Sequence, residues 1–128
     1  MIVLDTSVLV AHLGPSADTP GPMLDLLESD EAVRVPAVVL YEWWRGPRRE
    51  HELEIQRRFF PQNQVLPFGA VEARTAADIY GQVRRAGGRD TDIAIAACAL
   101  VAEAQLWTLN EKDFVDIPGL RLYRPPLQ

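Results

Sequence analysis

The chain has 128 residues, 48% of them hydrophobic, and 18 acidic against 13 basic side chains give a formal net charge of −5. That is enough apolar material for one packed domain over 1–128, and it excludes a protein that grips nucleic acid by bulk charge, though not one that uses local arginines on an acidic, metal-holding scaffold. Cys98 is the only cysteine, so no internal disulfide is possible.

Residues 2–4, Ile-Val-Leu, form a short apolar run that reads as a buried strand. No basic segment precedes it and Asp5 follows at once, so neither a signal peptide nor a membrane span is expected, and the protein reads as cytoplasmic. "TSVLVAHL" predicts a helix stopped at Gly14-Pro15, and the Gly and Pro content of 14–22 predicts a loop. A helix over 22–30 puts Met23, Leu26 and Leu27 on one face. Residues 33–35 predict a second strand, after which Pro36 opens a helix that Gly46-Pro47 closes.

A charged surface helix follows over 48–60, with Leu53, Ile55 and Phe59 turned inward. Residues 64–66 predict a weak third strand. An amphipathic helix spans 70–85 and ends at Gly87-Gly88. The helix over 91–103 has the body "IAIAACALVA", small and apolar nearly all round, which marks it as buried and closely packed. Cys98 lies in that body as a buried space-filler. Residues 106–109 and 121–123 predict a fourth and a fifth strand, and "RPPLQ" a tail. Short strands alternating with helices mean an α/β fold, a three-layer α/β/α sandwich on a short-stranded parallel sheet.

Sheets of that kind take ligands at the carboxyl ends of their strands. Asp5 directly follows the first strand and Asn110 nearly follows the fourth. Asp92 falls in the first turn of the buried helix, and Glu42 lies two turns into the helix after the second strand. Each has a plain structural alternative. Asp5 is a possible helix cap, Asp92 suits a positive helix end, Asn110 suits a turn, and Asp113 and Asp116 suit a solvated surface. Glu42 is the hardest to explain that way. Val38, Val39, Leu40, Tyr41, Trp43 and Trp44 surround it, and burying an unpaired carboxylate costs several kcal/mol. Either Arg45, three residues on, pairs with it, or a cation outside the chain does.

Carboxylates without His or Cys partners suit a hard ion, Mg2+ or Mn2+, and such an ion is a tool for phosphoryl chemistry. His12 and His51 read as surface or packing residues. No phosphate-binding loop of the G-x-x-x-x-G-K-[ST] kind is present, and no G-x-G-x-x-G follows the first strand.

"IVLDTSVLV", "VPAVVLYEWWRG", "DIAIAACAL", "LWTLNEKDF" and "IPGLRLY", in that order, resemble the PIN domain, and within it the VapC-like toxins of toxin–antitoxin pairs. The match runs from Ile2 to Tyr123. The resemblance implies a metal-dependent endoribonuclease with an acidic quartet. Asp5, Glu42 and Asp92 fit the first three acids and would hold Mg2+ or Mn2+. The fourth place holds Asn110 where many members carry Asp, with Asp113 three residues later as the acid that shares the role. Thr6 and Ser7 match the polar pair that supports the first acid.

The resemblance further implies an RNA substrate, a cognate VapB-like antitoxin and a homodimer. Arg45, Arg48, Arg49, Arg84, Arg85 and Arg89 are the candidates for holding RNA. Glu50, Glu52 and Glu54 dilute the first group, so Arg84, Arg85 and Arg89 stand out. Trp43 and Trp44 cannot both face inward on one helix, which leaves one for a partner. The rival readings are an inactive PIN-fold binding module, kept open by Asn110, and a metal-dependent phosphatase.

Overall fold

The computed structural model describes residues 1–15 and 21–126. The expected loop over 14–22 and the expected tail therefore fall partly outside the described residues.

Three strands make the regular sheet: β1 Ile2–Leu4, β2 Val33–Arg34 and β3 Gln105–Trp107, in the order β2-β1-β3 and all parallel. The register pairs Ile2 with Val33 on one side and Val3 with Leu106 on the other. All three residues of β1 are buried, which requires cover on both faces of the sheet. Six helices supply it: α1 Thr6–Leu13, α2 Gly21–Leu27, α3 Ala37–Arg45, α4 Glu50–Phe59, α5 Ala70–Gln82 and α6 Asp90–Val101. The expected α/β architecture on a short parallel sheet is the one observed.

The outer strands expected over 64–66 and 121–123 shrink to single bridges, Pro36 with Leu66 and Leu106 with Leu122. A 3-10 turn, Gln62–Gln64, takes up the start of the first, and Pro67, which has no N–H to give a ladder, ends it. The second closes two bonds, Leu106 N–H to the Arg121 carbonyl and Tyr123 N–H to the Leu106 carbonyl, before Pro125 and Pro126.

Helix α6 matches its composition. Residues Ile93, Ala94, Ile95, Ala96, Ala97, Cys98 and Ala99 are all buried, and α5 lies against it. Burial pushes the Cys98 thiol up to about 11, so it stays protonated and inert at neutral pH, as a space-filler would.

Helix α4 departs from expectation. Leu53 and Ile55 are half-buried against the core, but Phe59 is exposed, while Glu52 and Gln56 are fully buried. Partners account for Gln56 and for one oxygen of Glu52, while Glu52 Oε2 is buried without a hydrogen-bond partner among the described residues. Gln56 Oε1 accepts the Trp44 indole N–H at 3.1 Å, and Glu52 Oε1 accepts the Arg49 backbone N–H at 2.6 Å. Polar groups with partners can be buried without the full desolvation cost.

Candidate active site

Asp5 leaves the sheet at the carboxyl end of β1, where its N–H donates to the Trp107 carbonyl at 2.9 Å. It stands at the N-terminal cap position of α1, yet its side chain makes no cap bond. Its carboxylate is 4% exposed and is held through one oxygen. Ser7 Oγ and Thr108 Oγ1 each donate to Oδ2 at 2.8 Å. Both hydroxyls in turn accept backbone N–H groups at 3.0 Å, Ser7 from Leu109 and Thr108 from Asn110. An oxygen that accepts an amide proton points its own proton elsewhere, so both O–H groups are aimed at Asp5. Oδ1 has no protein donor among the described residues and is free for another partner.

Thr6, the next residue, donates through Oγ1 to Glu42 Oε1. Glu42 hangs from α3 with its side chain 21% exposed. As expected of adjacent tryptophans on one helix, Trp43 is fully buried while Trp44 is 47% exposed, and Tyr41 is 61% exposed. Nine helical residues against one core cannot all turn inward. Arg45 does pair with Glu42, at 3.6 Å, but Arg45 is itself largely exposed, and its guanidinium leans over the Tyr41 ring. A long, solvated contact of this kind contributes little.

Asp92 sits in the first turn of α6 and is half-buried. It has no hydrogen-bond donor or ion-pair partner among the described residues. Burial, and then the negative charges of Asp5, Asp113 and Glu42, push its pKa from 3.8 up to about 6; Arg89 opposes them. Acids from three other parts of the chain therefore act on Asp92. Asp113, in the 3-10 turn Glu111–Asp113, is half-buried and its carboxylate is likewise unpaired among the described residues. Asn110 is exposed; its backbone N–H serves Thr108 while its side chain makes no hydrogen bond among the described residues. Of the two candidates for the fourth place, Asp113 brings a charge that raises the Asp92 pKa, and Asn110 carries none.

The arginines divide. Arg84 and Arg85 are exposed and have no acidic partner among the described residues. Arg89 is not free. Its guanidinium is held by Asp116 at 2.7 and 2.9 Å and by the Asp113 and Arg84 carbonyls. Pairing with Asp116 raises the Arg89 pKa and lowers that of Asp116, so both partners shift the way a real ion pair does. The sequence showed Asp116 only as a surface charge. Thr108 was missed as a member of the site, its one signal being a hydroxyl at the end of a strand. His12 packs on the Trp107 ring and bonds the Val8 carbonyl through Nδ1.

An all-oxygen set of acids with so little positive charge beside it suits a hard divalent cation. Among the described residues, no three carboxylate, imidazole or thiol side chains come together as a group that could hold a metal ion. Mg2+ is ordinarily held by one or two carboxylates and keeps several waters, so an open group of acids fits it.

A short parallel sheet with acids gathered at its carboxyl edge defines a class of α/β proteins, and comparison specifies it further. The PIN domain profile matches residues 2–120, and the chain belongs to the PIN domain family. It is 28% identical over 123 residues to Ribonuclease VapC19 of Mycobacterium tuberculosis, covering 94% of this chain and 98% of that one. Among solved structures it resembles VapBC2 from Rickettsia felis bound to a promoter DNA fragment, with a TM-score of 0.73 and 22% identity over 96% of this chain and 98% of the other. FitAcB from Neisseria gonorrhoeae gives 0.71 and 22% over 98% of each chain. DNA-bound VapBC from Salmonella typhimurium gives 0.73 and 19% over 95% and 96%. No helix among the described residues is long and apolar enough to cross a membrane.

Proposed function

We propose that this protein is a metal-dependent endoribonuclease, the toxin of a toxin–antitoxin pair, acting in the cytoplasm. The observation that carries the reading is Asp92, half-buried and unpaired among the described residues, with Asp5, Asp113 and Glu42 close enough to raise its pKa. Its likeness to a protein named as a ribonuclease, and to complexes named VapBC, supports it.

Asp5, Glu42 and Asp92 would hold Mg2+ or Mn2+, with Asp113 completing the acidic field. A divalent ion bound there supplies water activation and neutralises charge that develops on a phosphodiester. The chain's own residues do the rest. Ser7 and Thr108 hold Asp5 by one oxygen, leaving the other toward the site. Thr6 and Arg45 hold Glu42 by one oxygen each. The backbone N–H groups of Leu109 and Asn110 keep the two hydroxyls aimed, so the acids do not have to reorganise when substrate arrives. Arg84 and Arg85, exposed and without acidic partners, are the RNA contacts, with Arg45 beside Glu42. Asp113 takes the fourth acidic place, so Asn110 gives no reason to think the site dead.

The partners are a VapB-like antitoxin and a second copy of the chain. Exposed Tyr41, Phe68 and Tyr80 line a cavity of about 610 Å3 between α3, α5 and α6, and such surface favours burial against protein.

The deciding experiment is incubation of the purified protein with structured RNA in Mg2+ or in EDTA. Cleavage that needs metal and is lost in Asp5→Asn supports the nuclease. RNA left intact with Mg2+ and with Mn2+ overturns it, and turnover of a small phosphate ester instead of RNA points to the phosphatase.

A further inference from the structure

Asp92 and Asp113 lie on separate elements, and nothing in the sequence between them obliges the two to meet. Arg89 joins their backbones. Its Nη1 and Nη2 donate to the two carboxylate oxygens of Asp116, at 2.9 and 2.7 Å. Nη2 also donates to the Asp113 carbonyl at 2.9 Å, and Nη1 to the Arg84 carbonyl at 3.2 Å. One guanidinium thus ties together the approach to α6, the start of α6 at its own backbone, and the turn that carries Asp113. Its side chain is only 19% exposed. A planar fork with donors on both arms can do this, whereas a lysine ammonium, a single point, cannot.

The choice of partner matters as much as the fork. Paired with Asp116, Arg89 forms a unit without net charge. An arginine lacking Asp116 would be free to turn onto the neighbouring carboxylates and satisfy them itself. Asp116 takes both arms of the guanidinium, so the turn is fixed while the Asp92 and Asp113 carboxylates stay without a hydrogen bond or ion pair among the described residues.

We infer that Arg89 is a positioning residue, and that the Arg89–Asp116 pair straps the Asp113 turn to the start of α6 so that Asp92 and Asp113 are presented together to a divalent cation. This rests on the reading of the acids as a cation site. It gives Arg89 a role other than gripping RNA, and it gives Asp116 a role for the first time.

The test uses the full chain, with two readouts. Hydrogen exchange on the metal-free protein reports the strap, and Mn2+ uptake, followed by the resonance signal of free Mn2+, reports the presentation. In Arg89→Lys and in Asp116→Asn, amides of residues 113–117 should exchange about ten times faster, while those of Val8 and Leu9 should not change. Mn2+ affinity should fall by about ten-fold, as for other groups that orient ligands. The double variant should be no worse than either single one, because both remove the same strap. Asp116→Glu should restore most of the affinity. Loss of Mn2+ affinity without faster exchange would mean that Arg89 acts through its charge alone, which overturns the strap. Undiminished uptake in Arg89→Lys overturns it too. A wild-type protein that takes up no Mn2+ sinks the cation reading, and the presentation role with it.

Discussion

Thr108 and Asp5, at opposite ends of the chain, are joined by a hydrogen bond of 2.8 Å between a buried hydroxyl and a buried carboxylate. Thr108 also accepts the Asn110 N–H, so the hydroxyl serves two groups at once. Thr108→Val keeps the shape and removes both bonds. We expect it to cost about 1–3 kcal/mol in chemical denaturation, since one backbone donor and one carboxylate oxygen each lose a partner. RNA cleavage should fall further than this loss of folded protein explains, and Thr108→Ser should recover most of it. Equal cleavage per folded molecule in Thr108→Val would mean that the hydroxyl has no part in the site.

Asp92 makes stability depend on pH in an unusual direction for a carboxylate. Its pKa is pushed up to about 6 in the folded chain, against an ordinary 3.8. The metal-free folded protein therefore binds this proton more tightly than the unfolded chain does. The contribution is fully present below the ordinary value and is lost as pH rises through about 6. With discounting for solvent around a half-buried group, it is about 1 kcal/mol, or roughly 4 °C in melting temperature. In EDTA, the drop in melting temperature between pH 5 and pH 7.5 should shrink in Asp92→Asn. At pH 7.5 that variant should melt higher than wild type without metal, and Mg2+ should raise wild type alone. Identical profiles for the two proteins would refute the raised pKa.

Arg45 pairs with Glu42 at a distance and an exposure that give little stability. Arg45→Ala should shift the unfolding free energy by no more than about 0.5 kcal/mol. Mg2+ should still stabilise the variant, whereas it should fail to stabilise Glu42→Gln. A large loss in Arg45→Ala that metal does not restore would make the arginine, and not a cation, the partner of Glu42.

Arg84 and Arg85 carry charge with no acid to hold it. Replacing either with Ala should weaken RNA binding about equally for different sequences. It should also lower the slope of log affinity against log salt by about 0.7 for each phosphate left without its arginine. Binding measured from low to moderate salt checks this. An unchanged slope would move the RNA path elsewhere on the surface.

Much of the fold was legible because local pattern and final burial agree. "TSVLVAHL" is a helix over the residues expected, and the small apolar body of α6 is buried throughout. Asp5 was legible as a strand-end acid for the same reason. What escaped was set by distant pairings. Phe59 turns out and Gln56 turns in because the Trp44 indole needs an acceptor, a demand that no periodicity in α4 records. Arg89 looked like a free cation because its acid lies beyond all of α6 and β3. Thr108 looked like one more residue of a strand because its second partner, Asp5, is more than a hundred residues away in sequence.

The sheet has one further consequence. Its central strand, β1, pairs on one side with β3, from which all the helices α1 to α6 separate it in sequence. Long loops must close before that pairing is rewarded, so formation of the edge that carries Asp5 is slow compared with any single helix. Until that pairing forms, Thr108 is not brought beside Asp5. A partly folded chain therefore keeps its acids apart, and whatever chemistry they perform belongs to the completed fold alone.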